Sequence, residues 1–241
     1  VSEAVRSSGA DAVSFVHNET STGAMQDIPT LTAAIRAGSD DVVILTDSIS
    51  GAGGAELQVD AWGIDWLATA GHKALALPPG LGFGVPSEAM MARSARATRK
   101  GFYFDLARYM KSIESYSIPT TPAIPQLFAA QAQVARIADE GMDQRLARHM
   151  AMAETTWAWA ERHGLPVIAK EGYRSPTVSC VGLPEGHTGP ELMAAMAERG
   201  WTITTGYGKL KPSTFRVGHM GEHTVAQVKE VLSEVEDVLR L

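Results

Sequence analysis

The sequence predicts an α/β fold with a mainly parallel sheet, followed by a smaller C-terminal α+β domain. Short β-rich runs alternate with helical stretches through the first 100 residues, a pattern typical of a parallel sheet. From Pro122 the pattern changes to long helices, and after them strands and helices alternate again. We place the boundary near Gly141, which gives a large domain of residues 1–141 and a small domain of residues 142–241.

Hydrophobic runs and turn residues define the elements of the large domain. The predicted strands cover 11–16, 42–46, 65–69 and 81–85. Helices are predicted over about 28–37 and 87–97, and the first has Asp27 as a cap and Pro29 in its first turn. Ligands of such sheets bind at the carboxyl ends of the strands, so residues that follow the strands are the candidates for a site.

Two long helices lie on either side of the boundary at Gly141, and short strands and further helices complete the small domain. An apolar face at helical spacing indicates the first long helix: Ile124, Leu127, Phe128, Gln131, Val134 and Ile137. The remaining elements are a helix over about 142–163, strands near 177–182, 201–205 and 214–218, and a helix over about 189–199 opened by Thr188 and Pro190. The final helix carries an apolar stripe that we assign to the core: Val225, Val228, Val231, Leu232, Val235, Val238 and Leu239.

Composition narrows the class of protein. Of the 241 residues 45% are apolar, enough for a real core, and the net charge of −6 comes without any basic block, so nucleic acid is not an expected partner. No apolar run is long enough to predict a membrane span. The single cysteine, Cys180, excludes an internal disulfide, and the histidines show no metal-ligand spacing. These features predict a cytoplasmic protein without a metal.

The chain begins at Val1, and residues 1–6 resemble the back half of a helix that leads into the first strand. We therefore expect this sequence to be the C-terminal portion of a longer protein.

Lys73 and Asp47 are the residues most suggestive of chemistry. Lys73 lies on a turn of small residues after a predicted strand, and Asp47 ends the hydrophobic run that begins at Val42. An amine in this setting can form an imine with an aldehyde cofactor and can later move a proton at the substrate carbon. A carboxylate can keep a pyridine nitrogen protonated, which makes the ring an electron acceptor. Together the two side chains meet the needs of pyridoxal 5′-phosphate.

Other candidates are weaker when taken alone. Arg216 lies in a predicted strand, where a guanidinium needs a carboxylate, either from a substrate or from a structural ion pair. The segment 17–23 offers hydroxyl and amide groups that could contact a cofactor ring, although such residues also form ordinary loops. The run 51–54 lacks phosphate-loop spacing, so a turn is its expected role.

Several segments in order along the chain resemble the class V aminotransferases of the fold type I pyridoxal phosphate enzymes, and most closely the alanine-glyoxylate and serine-glyoxylate branch. The segments are His17-Asn-Glu-Thr-Ser-Thr-Gly, Asp47-Ser-Ile-Ser-Gly-Ala-Gly-Gly, Gly71-His-Lys-Ala-Leu, Leu77-Pro-Pro-Gly-Leu-Gly, Phe102-Tyr-Phe-Asp-Leu, Thr121-Pro-Ala-Ile-Pro-Gln-Leu and Phe215-Arg-Val-Gly-His-Met-Gly. The resemblance covers almost the whole chain. It implies the large and small domains of that fold, with the large domain incomplete at its N-terminus.

The resemblance also implies roles for single residues. Lys73 would form the Schiff base and Asp47 would pair with the pyridinium nitrogen. Thr20 would contact the cofactor near its ring, and His72 would help hold the phosphate. Arg216 would bind the substrate carboxylate with both arms of its guanidinium. The family's enzymes are homodimers with sites at the subunit interface, and Thr121 would reach the phosphate of the neighbouring subunit's cofactor.

Two departures from the family pattern leave alternatives open. The alanine-glyoxylate branch commonly has Gln before the Schiff-base lysine. This chain has His72 there, as the related cysteine desulfurases do, which leaves the subfamily open. The family's N-terminal arm, Gly-rich phosphate loop and ring-stacking aromatic residue precede the position that matches Val1. We expect an aminotransferase that uses a small amino acid, of the alanine or serine type, and a 2-oxo acid such as glyoxylate or pyruvate. The alternatives are a noncatalytic truncated scaffold and, less favoured, a lyase or desulfurase, for which Cys180 looks too buried.

Overall fold

The computed structural model describes residues 1–241, and its larger sheet has four strands in the order β1-β4-β5-β6. These strands are β1 (Ala12–Val16), β4 (Val43–Asp47), β5 (Trp66–Ala70) and β6 (Gly82–Pro86). The first three strands are parallel, and β6 pairs antiparallel with β5. The predicted mainly parallel α/β sheet is therefore confirmed.

Five helices accompany the larger sheet in the part of the chain before Gly141. The helices before residue 141 are α1 (Ser2–Ser8), α2 (Ile28–Arg36), α3 (Glu88–Arg96), α4 (Leu106–Glu114) and α5 (Ile124–Glu140). The predicted cap of α2 is present, since Asp27 accepts a hydrogen bond from Thr30 N and a proline occupies the first turn. Gly141, with φ of 80°, separates α5 from the next helix. The division at this residue into two domains stays a prediction.

A three-stranded antiparallel sheet lies in the C-terminal part. Its order is β7-β9-β8, and the elements of this part are α6 (Met142–Arg162), β7 (Val178–Gly182), α7 (Gly189–Glu198), β8 (Thr204–Thr205), a 3₁₀ turn (Gly208–Leu210), β9 (Thr214–Gly218) and α8 (Val225–Leu239). The largest hydrophobic core of the protein is here, and the apolar stripe of α8 contributes Val228, Val231, Leu232, Val235 and Leu239 to it. The prediction of a core-packing final helix is confirmed.

One local prediction needs correction, and two elements were not predicted. The strand predicted near 201–205 is only the two-residue β8, and Ile203 and Trp201 pack on the core instead of pairing with β9. The segment 17–23 contains β2 (Asn18–Glu19), which pairs with β3 (Ala24–Met25) as a short hairpin that was not predicted. Helix α4 was not predicted, and its Met110 and Ile113 are exposed.

The apolar face of α5 is also exposed in the isolated chain. Phe128 and Val134 have 68% and 65% of their surface accessible, and Gln133 is the one buried residue of the helix. Periodicity predicted this helix correctly but could not tell what covers it. No helix of the structure is both long and apolar enough to cross a membrane.

Replacing Leu232 by Ala tests the core of the C-terminal part. Leu232 is 2% exposed, so its truncation leaves a cavity and should lower the free energy of unfolding by about 2–5 kcal/mol. Chemical denaturation monitored by circular dichroism measures the change. The exposed Glu230 on the same helix is the control, because Glu230→Ala should alter stability by less than about 0.5 kcal/mol. An equal loss of unfolding free energy in the two variants would show that Leu232 is not part of the core.

Candidate active site

The candidate site lies at the carboxyl edge of the parallel strands. Asp47 is the last residue of β4, and it pairs in register with Val16 of β1 on one side and with Ala68 of β5 on the other. Lys73 follows the end of β5 by three residues, on a turn closed by hydrogen bonds from Ala76 N to Lys73 O and from Leu77 N to Gly71 O. The sheet therefore delivers both predicted residues to the same edge, as the sequence indicated.

The turn after Asp47 is joined to the segment after β1 by buried polar contacts. The Nδ1 atom of His17 lies 2.9 Å from the hydroxyl of Ser48, and the Thr20 hydroxyl lies 2.5 Å from that of Ser50. Asn18 donates to Ser50 O, while its buried Oδ1 has no donor. Thr20 is thus fixed near Asp47, and an acceptor is left free beside it.

Arg216 reaches the same group of residues from the other sheet. It lies in β9 and is 8% exposed; its Nε donates to Thr205 O at 2.8 Å and its Nη1 to Thr20 O at 3.2 Å. The guanidinium carbon lies 4.2 Å from the centre of the Tyr207 ring. The structure thus brings Thr20 and Arg216 into contact across 196 positions of sequence.

None of the three charged side chains Asp47, Lys73 and Arg216 forms an ion pair within the chain. Asp47 accepts one hydrogen bond from Ile49 N, and neither Asp47, Lys73 nor Arg216 forms an ion pair. The structural ion pair considered for Arg216 is therefore absent. Hydrogen bonds from Ser21 lower the pKa of the Glu19 carboxyl, and the nearby charge of Arg216 lowers it further.

The other predicted site residues are not assembled in this way. His72 is exposed beside Lys73, and no side-chain hydrogen bond holds it. Thr121 is exposed in the segment between α4 and α5, and it contacts none of the residues above. Cys180 is fully buried in β7, and burial raises the pKa of its thiol, which argues against a nucleophilic role. No cluster of three or more His, Cys, Asp or Glu side chains could hold a metal ion.

Sequence reasoning missed several residues of this site. Thr177 accepts from Asn18 at 2.6 Å across 159 positions of sequence, and Tyr207 stacks on Arg216. Arg145 of α6 was missed as well, although it donates to Ala74 O directly after Lys73. No local pattern marks these residues, because the contacts exist only once the chain is folded.

Three buried histidines surround the site in neutral form. Desolvation by burial lowers the pKa of His17, His149 and His219 to about 4 in each case. For His149 the partners define the tautomer: Nδ1–H donates to Arg145 O, and Nε2 accepts from Gly221 N. His219 is similar, with Nδ1–H donating to Pro176 O and Nε2 near the Ser179 hydroxyl.

These histidines predict acid sensitivity of the fold. A pKa of about 4 when folded and about 6.5 when unfolded means that the unfolded chain binds more protons between these values. The contribution of the three histidines to the free energy of unfolding is therefore fully present above pH 6.5 and is lost as the pH falls toward 4. Unfolding at pH 5 should take up roughly two to three protons. Denaturant titrations at pH 7.5, 6 and 5 measure this dependence.

A single histidine gives the matched test of this acid sensitivity. His219→Gln should reduce the uptake by about one proton, and the exposed His223→Gln should leave it unchanged. A free energy of unfolding that stays constant from pH 6.5 to 4.5 would contradict the assignment of neutral histidines.

Comparisons with known proteins show one family along almost the whole chain. The family described as aminotransferase class-V matches residues 2–231. An uncharacterized aminotransferase of Methanocaldococcus jannaschii is 34% identical over 225 residues, which are 92% of this chain and 57% of the relative. The serine–glyoxylate aminotransferase of Arabidopsis thaliana is 30% identical, over 95% of this chain and 58% of the relative.

A solved structure gives the same result. The alanine–glyoxylate aminotransferase of a Nostoc species superposes with a TM-score of 0.92 at 28% identity, covering 99% of this chain and 64% of the other. The chain therefore spans less than two thirds of the length of the proteins to which it is similar.

Proposed function

The chain belongs to the class V aminotransferase family, and on this basis we propose that it carries the catalytic edge of an aminotransferase for small amino acids. The observation that carries the proposal is that Asp47 and Lys73 lie without charged partners at one sheet edge, while the equally unpaired Arg216 contacts Thr20 from the other sheet. Pyridoxal phosphate is the cofactor of this family. When bound, it supplies an electron-accepting ring that allows an amino group to leave one carbon skeleton and join another.

The residues present fit this cofactor. The half-buried Asp47 has no cation partner in the chain and would hold the protonated ring nitrogen. The half-buried amine of Lys73 has no carboxylate partner and would attach the aldehyde carbon. Small residues surround both groups: Ala68 pairs with Asp47, and Gly71 closes the Lys73 turn. Thr20 would contact the ring, and His72 would contact the phosphate.

The chain's own residues then divide the remaining tasks. Arg216 would bind the substrate carboxylate, which supplies the charge partner that the protein lacks. Once the incoming amino acid had displaced it from the aldehyde carbon, the Lys73 amine would take the proton from the substrate α-carbon and deliver it to the carbon that carried the aldehyde. Relatives whose names specify glyoxylate support a small 2-oxo acid as acceptor, with alanine or serine as the donor. A cytoplasmic location stays a prediction.

Attachment of pyridoxal phosphate to Lys73 tests the proposed function. Incubation with the cofactor, borohydride reduction and peptide mapping should find the label on Lys73 and not on the exposed Lys170. Lys73→Ala should lose the label and the near-visible absorbance band, and Lys170→Ala should keep both. A colourless wild-type sample without label would favour the noncatalytic scaffold.

We further propose that the active form is a homodimer that covers the exposed apolar surface of residues 102–134. Phe104 and Tyr116 are 77% and 101% exposed, and the apolar face of α5 continues the surface. A monomer rarely leaves so many large apolar side chains in water. Thr121 lies in this segment, which supports the proposed contact between Thr121 and the phosphate of the neighbouring subunit's cofactor.

Charged substitutions test the dimer surface. Phe128→Asp should convert a dimer into a monomer in sedimentation velocity, because the new carboxylate would be buried without a partner. Met193→Asp on α7 is the control; this apolar residue is also exposed but lies outside the segment. A dimer that survives Phe128→Asp and dissociates with Met193→Asp would place the interface elsewhere.

A further inference from the structure

One buried cation connects α6 to the turns that carry the candidate site. Arg145 is 1% exposed, and its guanidinium makes four hydrogen bonds. Its Nε donates to Gly53 O at 2.9 Å, and its Nη2 donates to Ala74 O at 2.7 Å. Gly53 belongs to the turn after Asp47, and Ala74 follows Lys73 directly. The same side chain therefore spans the two turns.

The two turns are packed tightly where Arg145 holds them. A Cβ atom on Gly53 would lie 2.8 Å from the Leu75 side chain, and one on Gly54 would lie 3.0 Å from Ala74 Cβ. Gly53 also has φ of 86°, which a larger residue rarely adopts. Little space exists between the turns, so a small displacement of either carbonyl would move the other turn.

The Lys73 turn needs such support because its backbone is strained. Ala76 has φ of 55°, a left-handed conformation that alanine disfavours. Residues in this conformation persist only where the surrounding contacts hold them. The hydrogen bond from Arg145 to Ala74 O is one of these contacts, and the packing of Gly221 near Ala76 Cβ is another.

Two carboxylates neutralise the buried guanidinium. Nη1 of Arg145 lies 2.8 Å from Glu140 Oε2 and 3.1 Å from Glu222 Oε1. Glu140 ends α5, and Glu222 lies in the loop after β9, the strand of Arg216. A charge that is buried and fully paired in this way can persist in the interior, while the loss of one partner is strongly unfavourable.

We propose that Arg145 is a positioning residue for Lys73, which holds the Lys73 turn against the turn after Asp47. The inference rests on the proposed function in one respect, namely that Lys73 is the reactive amine. A lysine at position 145 keeps the charge but lacks the planar fork that donates to two carbonyl groups at once. Arg145→Lys should therefore free the turn without unpairing both carboxylates.

Amide hydrogen exchange gives the readout that requires no cofactor. In Arg145→Lys, the amides of Ala76 and Leu77 should lose at least about tenfold protection, because hydrogen bonds to the turn are lost. Protection in β9 and α8 should stay near the wild-type level. Arg162→Lys on the same helix is the matched control, since Arg162 is exposed and pairs only with Glu236.

Kinetics with the loaded protein give the second readout. Arg145→Lys should lower kcat by about a hundredfold, the size expected for a misplaced reactive group. KM for the amino acid should stay nearly unchanged, since Arg216 is not touched. Arg145→Met should be as deficient as Arg145→Lys or more so.

The possible outcomes separate the two proposals. Unchanged exchange at Ala76 and Leu77, or an equal loss of protection throughout the chain, would overturn the positioning role. Wild-type protein that fails to attach pyridoxal phosphate to Lys73 would instead overturn the proposed function, and the exchange result would still decide the role of Arg145. Where Arg145→Met does not fold, Arg145→Lys decides alone.

Discussion

The parallel register of β1, β4 and β5 is the constraint on which the site depends. Asp47 pairs with Val16 on one side and Ala68 on the other, so the chain leaves all three strands at the same edge. A shift of one residue would turn Asp47 to the opposite face of the sheet. The turns that follow each strand carry Thr20, the serines after Asp47, and Lys73. Backbone pairing therefore gathers residues that lie up to 53 positions apart.

The two buried arginines of this protein differ in their partners, and the difference distinguishes a structural role from a ligand-binding role. Arg145 has two carboxylates and two carbonyl groups around it, and every side of its guanidinium is occupied by the protein. Arg216 contacts two carbonyl groups and the Tyr207 ring, and no carboxylate, Glu19 included, forms an ion pair with it. Removing a guanidinium from water without a counter-charge is unfavourable by several kcal/mol. A fold that needed Arg216 only for stability would supply a carboxylate, as it does for Arg145. The missing partner is the expected property of a residue that receives its anion from a ligand.

The sequence predicted the parts of this protein that depend on local pattern. Hydrophobic runs predicted the strands of the parallel sheet and the apolar stripe of α8, and cap residues such as Asp27 predicted where helices begin. Strand ends then predicted the edge at which Asp47 and Lys73 lie. The strand predicted near 201–205 was too long and the hairpin after His17 was not predicted, because such short pairings are decided by neighbouring strands. Arg145 and Tyr207 were not predicted for a related reason. Arg145 contacts Ala74 about 70 positions away and Tyr207 contacts Arg216 about 9 positions away, and no periodicity of the sequence encodes such contacts.

A crystal structure of the protein grown with pyridoxal phosphate would show directly whether this edge holds the cofactor. We expect a bond between Lys73 Nζ and the aldehyde carbon, with an oxygen of Asp47 about 2.7–3.2 Å from the ring nitrogen. Arg216 should keep its contact with Thr20 O and present its free edge to the open side of the site. A ring attached to a different lysine, or an Asp47 carboxylate turned toward a protein cation and away from the ring, would contradict the account.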